Sequence, residues 1–154
     1  MEHKFFDDTL QITLPEDFED MKEEMASVMF QAENRPQIIK LSGDGCAHMT
    51  FSKTAMTLTK EILPQMIKMV KQNFHRAQPA SVFYEEKCEM LEQIEYGWLD
   101  FKGFAIDGEV YYLNAFPIVN GKMYHVSFCV PFDKKDEWKP QVLEILKTMK
   151  DLTR

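Results

Sequence analysis

Two periods of hydrophobic and polar residues alternate along the chain. Leu10, Ile12 and Leu14 alternate with Thr9, Gln11 and Thr13, the pattern of a half-buried strand. Phe5 and Phe6 precede them across Asp7-Asp8, so the chain opens on a predicted hairpin that Pro15 ends. Phe18, Met21, Met25, Val28 and Met29 then recur at spacings of three and four, one face of a helix. Its first turns would carry Glu16, Asp17, Glu19 and Asp20, where the partial positive charge of a helix N-terminus favours acids. Arg35-Pro36 closes it, because the residue before a proline is pushed out of the helical region. Two short strands follow, Gln37 to Leu41 and Cys46 to Ser52, joined through Ser42-Gly43-Asp44-Gly45, whose glycines permit a tight turn.

A second helix is predicted from about Thr59 to His75, with Leu63, Met66, Val70, Phe74 and Ala77 on its apolar stripe. Pro64 falls in the first turns, where an amide has no intrahelical partner to lose. Strands resume near Ser81 and run as a meander from Ile94 to Phe132. Asp107-Gly108 and Asn120-Gly121 each lie between alternating apolar runs, a strong hairpin signal. Trp138, Val142, Ile145, Met149 and Leu152 form the seam of a closing helix, with Asp136 as the expected cap and Pro140 near its first turn. The order is ββ-α-ββ-α-ββββ-α over one domain, residues 1–154. The expected class is α+β: a three-layer α/β/α sandwich with a mostly antiparallel sheet.

Two-residue turns would pair Ile106 with Glu109 and Val119 with Lys122. Ala115 then lies opposite Val126 and Asp100, and Asn114 opposite Ser127 and Phe101. One face carries Trp98, Asp100, Lys102, Phe104, Tyr111, Leu113, Ala115, Tyr124, Val126, Phe128 and Val130. The other carries Leu99, Phe101, Tyr112, Asn114, Phe116, Ile118, Met123, His125, Ser127 and Cys129. Neither face is polar, so both must be covered. The two long helices are expected on one side and the short N-terminal helix on the other, which leaves part of that side open as a groove. Asp100 and Lys102, alone on an apolar face, suggest an edge strand whose charges discourage unwanted pairing.

Charge narrows the function. The chain has 25 acids and 18 bases, a formal charge of −7, the wrong sign for a protein that gains affinity by displacing counterions from phosphates. No run reaches the ~18 apolar residues of a membrane span, and acids stand where a signal peptide would be basic and apolar. A cytoplasmic address is expected, and the odd set Cys46, Cys88 and Cys129 suits a reducing compartment. Residues 1–33 hold ten acids against Lys4 and Lys22, an asymmetry able to steer a basic partner. Acidic helix starts and solubility account for the same residues. The eleven methionines supply flexible, polarisable side chains for core or for adaptable contacts.

Candidate chemistry is sparse. Cys46 and His48 share one side of their strand, as do His125 and Cys129. Together they would make a tetrahedral zinc site if the strands were neighbours in register; the plainer reading is a set of buried thiols and satisfied histidines. Gly43-Asp44-Gly45 lacks the lysine and helix start of a phosphate loop. Glu85-Glu86, Glu89, Glu92 and Glu95 read as a solvated strand surface. The expectation is a non-enzymatic binding or adaptor protein without cofactor, metal or catalytic residues, its partner another protein. Asp17, Glu19, Asp20, Glu23 and Glu24, with Trp98 and Tyr111, are the candidate contact residues. The alternative is a small-ligand or metal site on the Cys/His face.

The order of elements, with Leu14-Pro15-Glu16 leading into the first helix, Arg35-Pro36 before the Asp44-Gly45 hairpin, and the meander turns Asp107-Gly108 and Asn120-Gly121, resembles the PsbP-like superfamily. That group spans photosystem II extrinsic proteins, a Ran-binding nuclear transport factor and bacterial DcrB-like proteins, some of them secretion chaperones. The resemblance covers nearly the whole chain. It implies an α/β/α sandwich used for binding partners without catalysis, and it carries over no catalytic residue.

Overall fold

Long antiparallel strands, each hydrogen-bonded to the next in sequence, form most of the central sheet. In chain order the elements are β1 (Glu2–Phe5), β2 (Leu10–Thr13), β3 (Glu19–Asp20), α1 (Glu23–Met29), β4 (Ile38–Leu41), β5 (His48–Thr57), α2 (Leu63–Ala77), β6 (Val82–Met90), β7 (Glu95–Ala105), β8 (Gly108–Val119), β9 (Lys122–Pro131), α3 (Lys135–Lys147) and β10 (Lys150–Asp151). This is a computed structural model that describes residues 1–30, 35–106 and 108–154. Seven strands run in the order β3-β4-β5-β9-β8-β7-β6, and β1, β2 and β10 make a small second sheet. The class is α+β and the layering α/β/α, with the small sheet sharing the layer of α3.

Alternation along β7, β8 and β9 separates two cores. Trp98, Tyr111, Leu113, Ala115, Tyr124, Val126, Phe128 and Val130 pack with Leu10 and Ile12 of β2 and with Trp138, Val142 and Leu146 of α3. Leu99, Phe101, Phe116 and Ile118 pack instead with Leu63, Met66 and Ile67 of α2. Thus α2 and α3 cover opposite faces, not one face together. The reason is local: α3 follows β9 through a short 3-10 turn, and Trp138 settles 5.6 Å from the Phe128 ring and 5.9 Å from Phe18. On the other face Gly97 sets the approach of α2. A Cβ there would lie 2.6 Å from Ile67, well inside van der Waals contact, so the bare backbone is what lets the helix seat.

The register between β8 and β9 is the one expected, with Ala115 opposite Val126 and Asn114 opposite Ser127. The turn residues Asn120 and Gly121 both adopt positive φ, 51° and 74°, as a two-residue hairpin of this kind requires. Between β7 and β8 the register differs. Ala105 pairs with Gly108, so Ala115 faces Trp98 and Asn114 faces Leu99, where Asp100 and Phe101 were expected. The turn sits one residue earlier than Asp107-Gly108, and Asp107 lies outside the described residues. Because the slip is two positions, an even number, every side chain keeps its face.

The first helix departs most from expectation. β3 pairs Glu19 with Leu41 and Asp20 with Lys40, which holds the chain extended where helical turns were predicted. Asp20 also meets the Lys40 ammonium at 2.7 Å. Phe18 and Met21 are buried ahead of α1, and only Ala26 is buried within it; Met25, Val28 and Met29 face solvent. Of the early acids only Glu23 and Glu24 occupy a helical first turn. α2 begins at Leu63 with Pro64 in its opening turn, and Ile67 replaces the exposed Ala77 on its buried stripe. α3 starts one residue before Asp136, with Lys134 and not Asp136 at its N-cap.

Asp100 is not at an edge. β6 lies outside β7, and Asp100 is 0% exposed. Its carboxylate accepts the Tyr111 hydroxyl at 2.6 Å and the Glu85 amide at 2.9 Å. The Lys139 ammonium of α3 stands 2.8 Å away and reaches Glu85 at 2.6 Å. A bulge between Phe83 and Glu85 breaks the regular pairing of β6 beside this carboxylate. Burial, then the Asp100 hydrogen bond, pushes the Tyr111 hydroxyl well above the usual phenol range. For Lys139 burial acts downward, but bonds to Asp100 and Glu85 outweigh it and leave the ammonium more firmly protonated than usual. On the opposite face the His125 ring stacks on Phe116 at 5.0 Å and 3° and meets Asn114 Oδ1 at 2.7 Å; burial lowers its pKa to about 4.

Two outcomes follow from these buried polar groups. Asp100→Ala leaves Lys139 and the Tyr111 hydroxyl short of a partner and should cost about 3–5 kcal/mol in urea unfolding, whereas Asp100→Ala combined with Lys139→Met should recover part of that loss. His125 is neutral in the folded chain and titrates near 6.5 once unfolded. Its contribution is therefore complete above pH 6.5 and declines toward pH 4, by about 3 kcal/mol. Urea midpoints for the wild type should fall more steeply across this range than for His125→Phe.

Candidate functional site

On the face shared by α1 and α2, neither helix covers the middle of the sheet. The opening is a groove of about 550 Å³ whose floor includes His48, Thr50, Tyr112, Ser127 and Cys129. Met25, Met29 and Phe30 form one wall, and Ala105, Gly108 and Glu109 at the β7–β8 turn form the other. The first wall is apolar and exposed: Met25 is 43% and Met29 50% accessible. Residues 28 and 29 continue a helical stripe that finds no sheet beneath it, since α1 is seven residues long and docks through Ala26. Flexible methionine side chains on such a wall adapt to differently shaped partners.

Past Met25, Leu41 and Gly45, which line both spaces, the groove continues into a trough edged by four acids, Asp17, Glu19, Asp20 and Asp44, and one base, Lys22. The β4–β5 turn holds Asp44 in place. Its carboxylate accepts Ser42 Oγ at 2.6 Å and the Cys46 amide at 3.1 Å, and these bonds hold its pKa down at about 2. The Asp17 carboxylate accepts the Gly43 amide at 3.2 Å. Glu23 is tied to Arg35 at 2.6 Å, as Asp20 is to Lys40. Glu24 remains on the exposed side of α1. Of the five acids expected to meet a partner, Asp17, Glu19 and Asp20 line the trough, whereas Glu23 and Glu24 stand in the first turn of α1 and line neither space.

Trp98 and Tyr111, expected beside them, are in the core under α3 at 3% and 0% exposure. They belong to the other face of the sheet, and the Tyr111 hydroxyl is spent on Asp100. Of the four Cys/His residues, His48 on β5 and His125 and Cys129 on β9 lie on adjacent strands, whereas Cys46 is in the β4–β5 turn. His48 is directly opposite Cys129, and His125 is opposite Ser52. They do not converge: His125 is turned to Asn114 and Phe116, the Cys46 thiol donates to Asp44 at 3.1 Å, and His48 packs edge-on to Phe30 at 5.9 Å. Among the described residues no three His, Cys, Asp or Glu side chains are grouped to hold a metal ion. Burial, then Asp44, raises the Cys46 thiol pKa, and burial lowers that of His48. The glutamates of β6 are not merely solvated, since Glu85 pairs with Lys139 and Glu86 with Lys71 at 3.3 Å.

The sequence pattern did not mark Phe30 and Tyr112 as lining of the opening. The methionine excess was the available signal for the wall, but it does not separate exposed from buried methionines. Among the described residues no helix is long and apolar enough to cross a membrane.

No protein-family model matches the sequence, and no curated protein does. Solved structures match along its length. The cyanobacterial PsbP (CyanoP) of Synechocystis sp. PCC 6803 aligns over 98% of this chain and 91% of its own, with a TM-score of 0.72 and 8% identity. The Ran-binding protein Mog1p of Saccharomyces cerevisiae aligns over 99% and 95%, with a TM-score of 0.62 and 11% identity. LpqN of Mycobacterium tuberculosis, involved in cell envelope biogenesis, aligns over 92% and 82%, with a TM-score of 0.52 and 8% identity. At these identities the likeness is one of architecture: this chain shares the fold of the PsbP (CyanoP), Mog1p and LpqN structures.

Proposed function

We propose that this chain is a non-enzymatic binding protein that receives a segment of another protein in the open groove, with apolar side chains against Met25, Met29 and Phe30 and lysines or arginines over Asp17, Glu19, Glu24 and Asp44. The observation that carries this reading is the continuity of an apolar groove with an acidic trough through Met25, Leu41 and Gly45. Charge complementarity sets orientation and encounter rate, and the apolar wall supplies retention. The chemistry of the floor agrees with binding. A Cys46 thiol kept protonated and a His48 kept neutral are not the thiolate–imidazolium pair of a cysteine nucleophile. That Mog1p is a Ran-binding protein supports a protein partner for the same architecture.

Selection from a displayed library of random peptides tests the reading. The selected peptides should join two or three apolar residues to a basic cluster. Their affinity should fall about tenfold or more between low and high salt, because charges beyond about 8 Å are largely screened at physiological ionic strength. Met29→Asp should weaken them about tenfold by placing a charge on the apolar wall. Replacing Asp17, Glu19 and Glu24 by glutamine or asparagine should slow association more than it hastens release. Peptides indifferent to salt, to Met29→Asp and to the acid replacements would refute the groove as the binding site.

A further inference from the structure

A second cavity, of about 640 Å³, lies between α2 and the edge strand β6 and shares no lining residue with the groove. Its lining is the reverse of the chain's net charge. Lys68, Lys71, Gln72, His75 and Arg76 face Ser81, Phe83 and Glu86. Positions 68, 71, 72, 75 and 76 are three or four apart in steps along α2, so helical geometry aligns them on one stripe. His75 and Arg76 occupy the last turn of α2, where a cation is favourable in its own right. Lys71 and Lys68 lie about one and two turns earlier, and the helix terminus does not account for them. The one acid, Glu86, pairs with Lys71 at 3.3 Å, which leaves the cavity positive within a protein of charge −7.

A second observation points to a ligand. Ser81 lines this cavity and is only 9% exposed, yet its Oγ has no hydrogen-bond partner among the described residues. A buried hydroxyl without a partner is costly and uncommon, and a hydroxyl beside three cations is suited to an oxyanion. Phe83 supplies an apolar surface next to it. The Lys71 ammonium sits 5.6 Å from its ring centroid, and the His75 ring meets it edge-on at 6.4 Å.

We propose that this cavity binds a soluble phosphate monoester, its phosphoryl oxygens held by Ser81 Oγ, Lys71, His75 and Arg76 and its apolar or aromatic remainder against Phe83. A monoester carries about −1.5 to −2 charge at neutral pH and three strong acceptor oxygens, enough to compete with Glu86 for Lys71 and to satisfy the orphan hydroxyl. The same headgroup chemistry occurs on an anionic lipid. The separation of the cavity from the apolar groove favours the soluble form.

The test is a nitrogen-15 NMR titration of the intact chain with phenyl phosphate, inorganic phosphate and uncharged phenol. Phenyl phosphate should give saturable shifts at Ser81, His75 and Phe83, with inorganic phosphate weaker at the same residues and phenol without effect. Ser81→Ala and Lys71→Gln should each weaken phenyl phosphate about tenfold, the worth of a hydrogen bond to a charged group, whereas Lys147→Gln on α3 should change nothing. Ser81→Ala should also raise the ligand-free Tm by about 2 °C, because it removes an unsatisfied buried hydroxyl. Absence of saturable shifts, or affinity unaltered by Ser81→Ala, would overturn the proposal. So would sedimentation with vesicles containing phosphatidic acid in a chain that ignores phenyl phosphate, which would assign the cavity to a lipid headgroup.

Discussion

Asp100 is the point at which four elements meet. It is a carboxylate on the apolar face of an interior strand, and a buried charge is tolerated only when its oxygens are satisfied. The Tyr111 hydroxyl from β8, the Glu85 amide from β6 and the Lys139 ammonium from α3 provide this together. Each constrains its own element. Tyr111 holds the β7–β8 register, the β6 bulge at Tyr84 goes with the position of Glu85, and Lys139 pins α3 at one rotation over the sheet. Such a cluster contributes little net stability compared with an apolar substitute, but breaking it is expensive. Its effect is to select one arrangement of α3 and β6 among those an apolar face would accept.

With α3 committed to that face, the opposite face has only α2 and the seven-residue α1. α2 seats tightly over β7 and β8 because Gly97 admits Ile67. α1 is held at the β3–β4 margin through Ala26, Met21 and Ile39. The distance between them is what leaves His48, Thr50, Tyr112, Ser127 and Cys129 at the floor of a groove. The opening thus follows from how the layers are divided, and exposed methionines along α1 mark its apolar side.

The same layering separates two surfaces of opposite charge on a net acidic chain. The trough at the β4–β5 turn carries Asp17, Glu19, Asp20 and Asp44, with Asp44 held ionised by its own turn. The outer flank of α2 carries Lys68, Lys71 and Arg76. Field lines from one do not cancel the other, because exposed charges act over only about 8 Å at physiological ionic strength. The overall charge of −7 consequently says little about either surface.

Local pattern determined most of the architecture. The alternation along β7, β8 and β9 sorted their side chains onto the right faces, since a strand has a period of two whatever its partners do, and even a two-position slip in the β7–β8 register left that sorting intact. The Asn120-Gly121 turn, the placement of Pro64 and the long apolar stripe of α2 are equally local. Tertiary structure decided the rest. Phe18, Met21 and Met25 have helical spacing, yet pairing of Glu19 and Asp20 with β4 kept the first two of them out of the helix, because ladder bonds and burial outweigh weak intrinsic propensity. Asp100 looked like an edge charge because no sequence signal placed Lys139 beside it. The unpaired Ser81 hydroxyl and the cations on α2 acquired meaning only when β6 was laid against that helix: a side chain's period is written in its own segment, whereas its neighbour across a cavity is set by the whole chain.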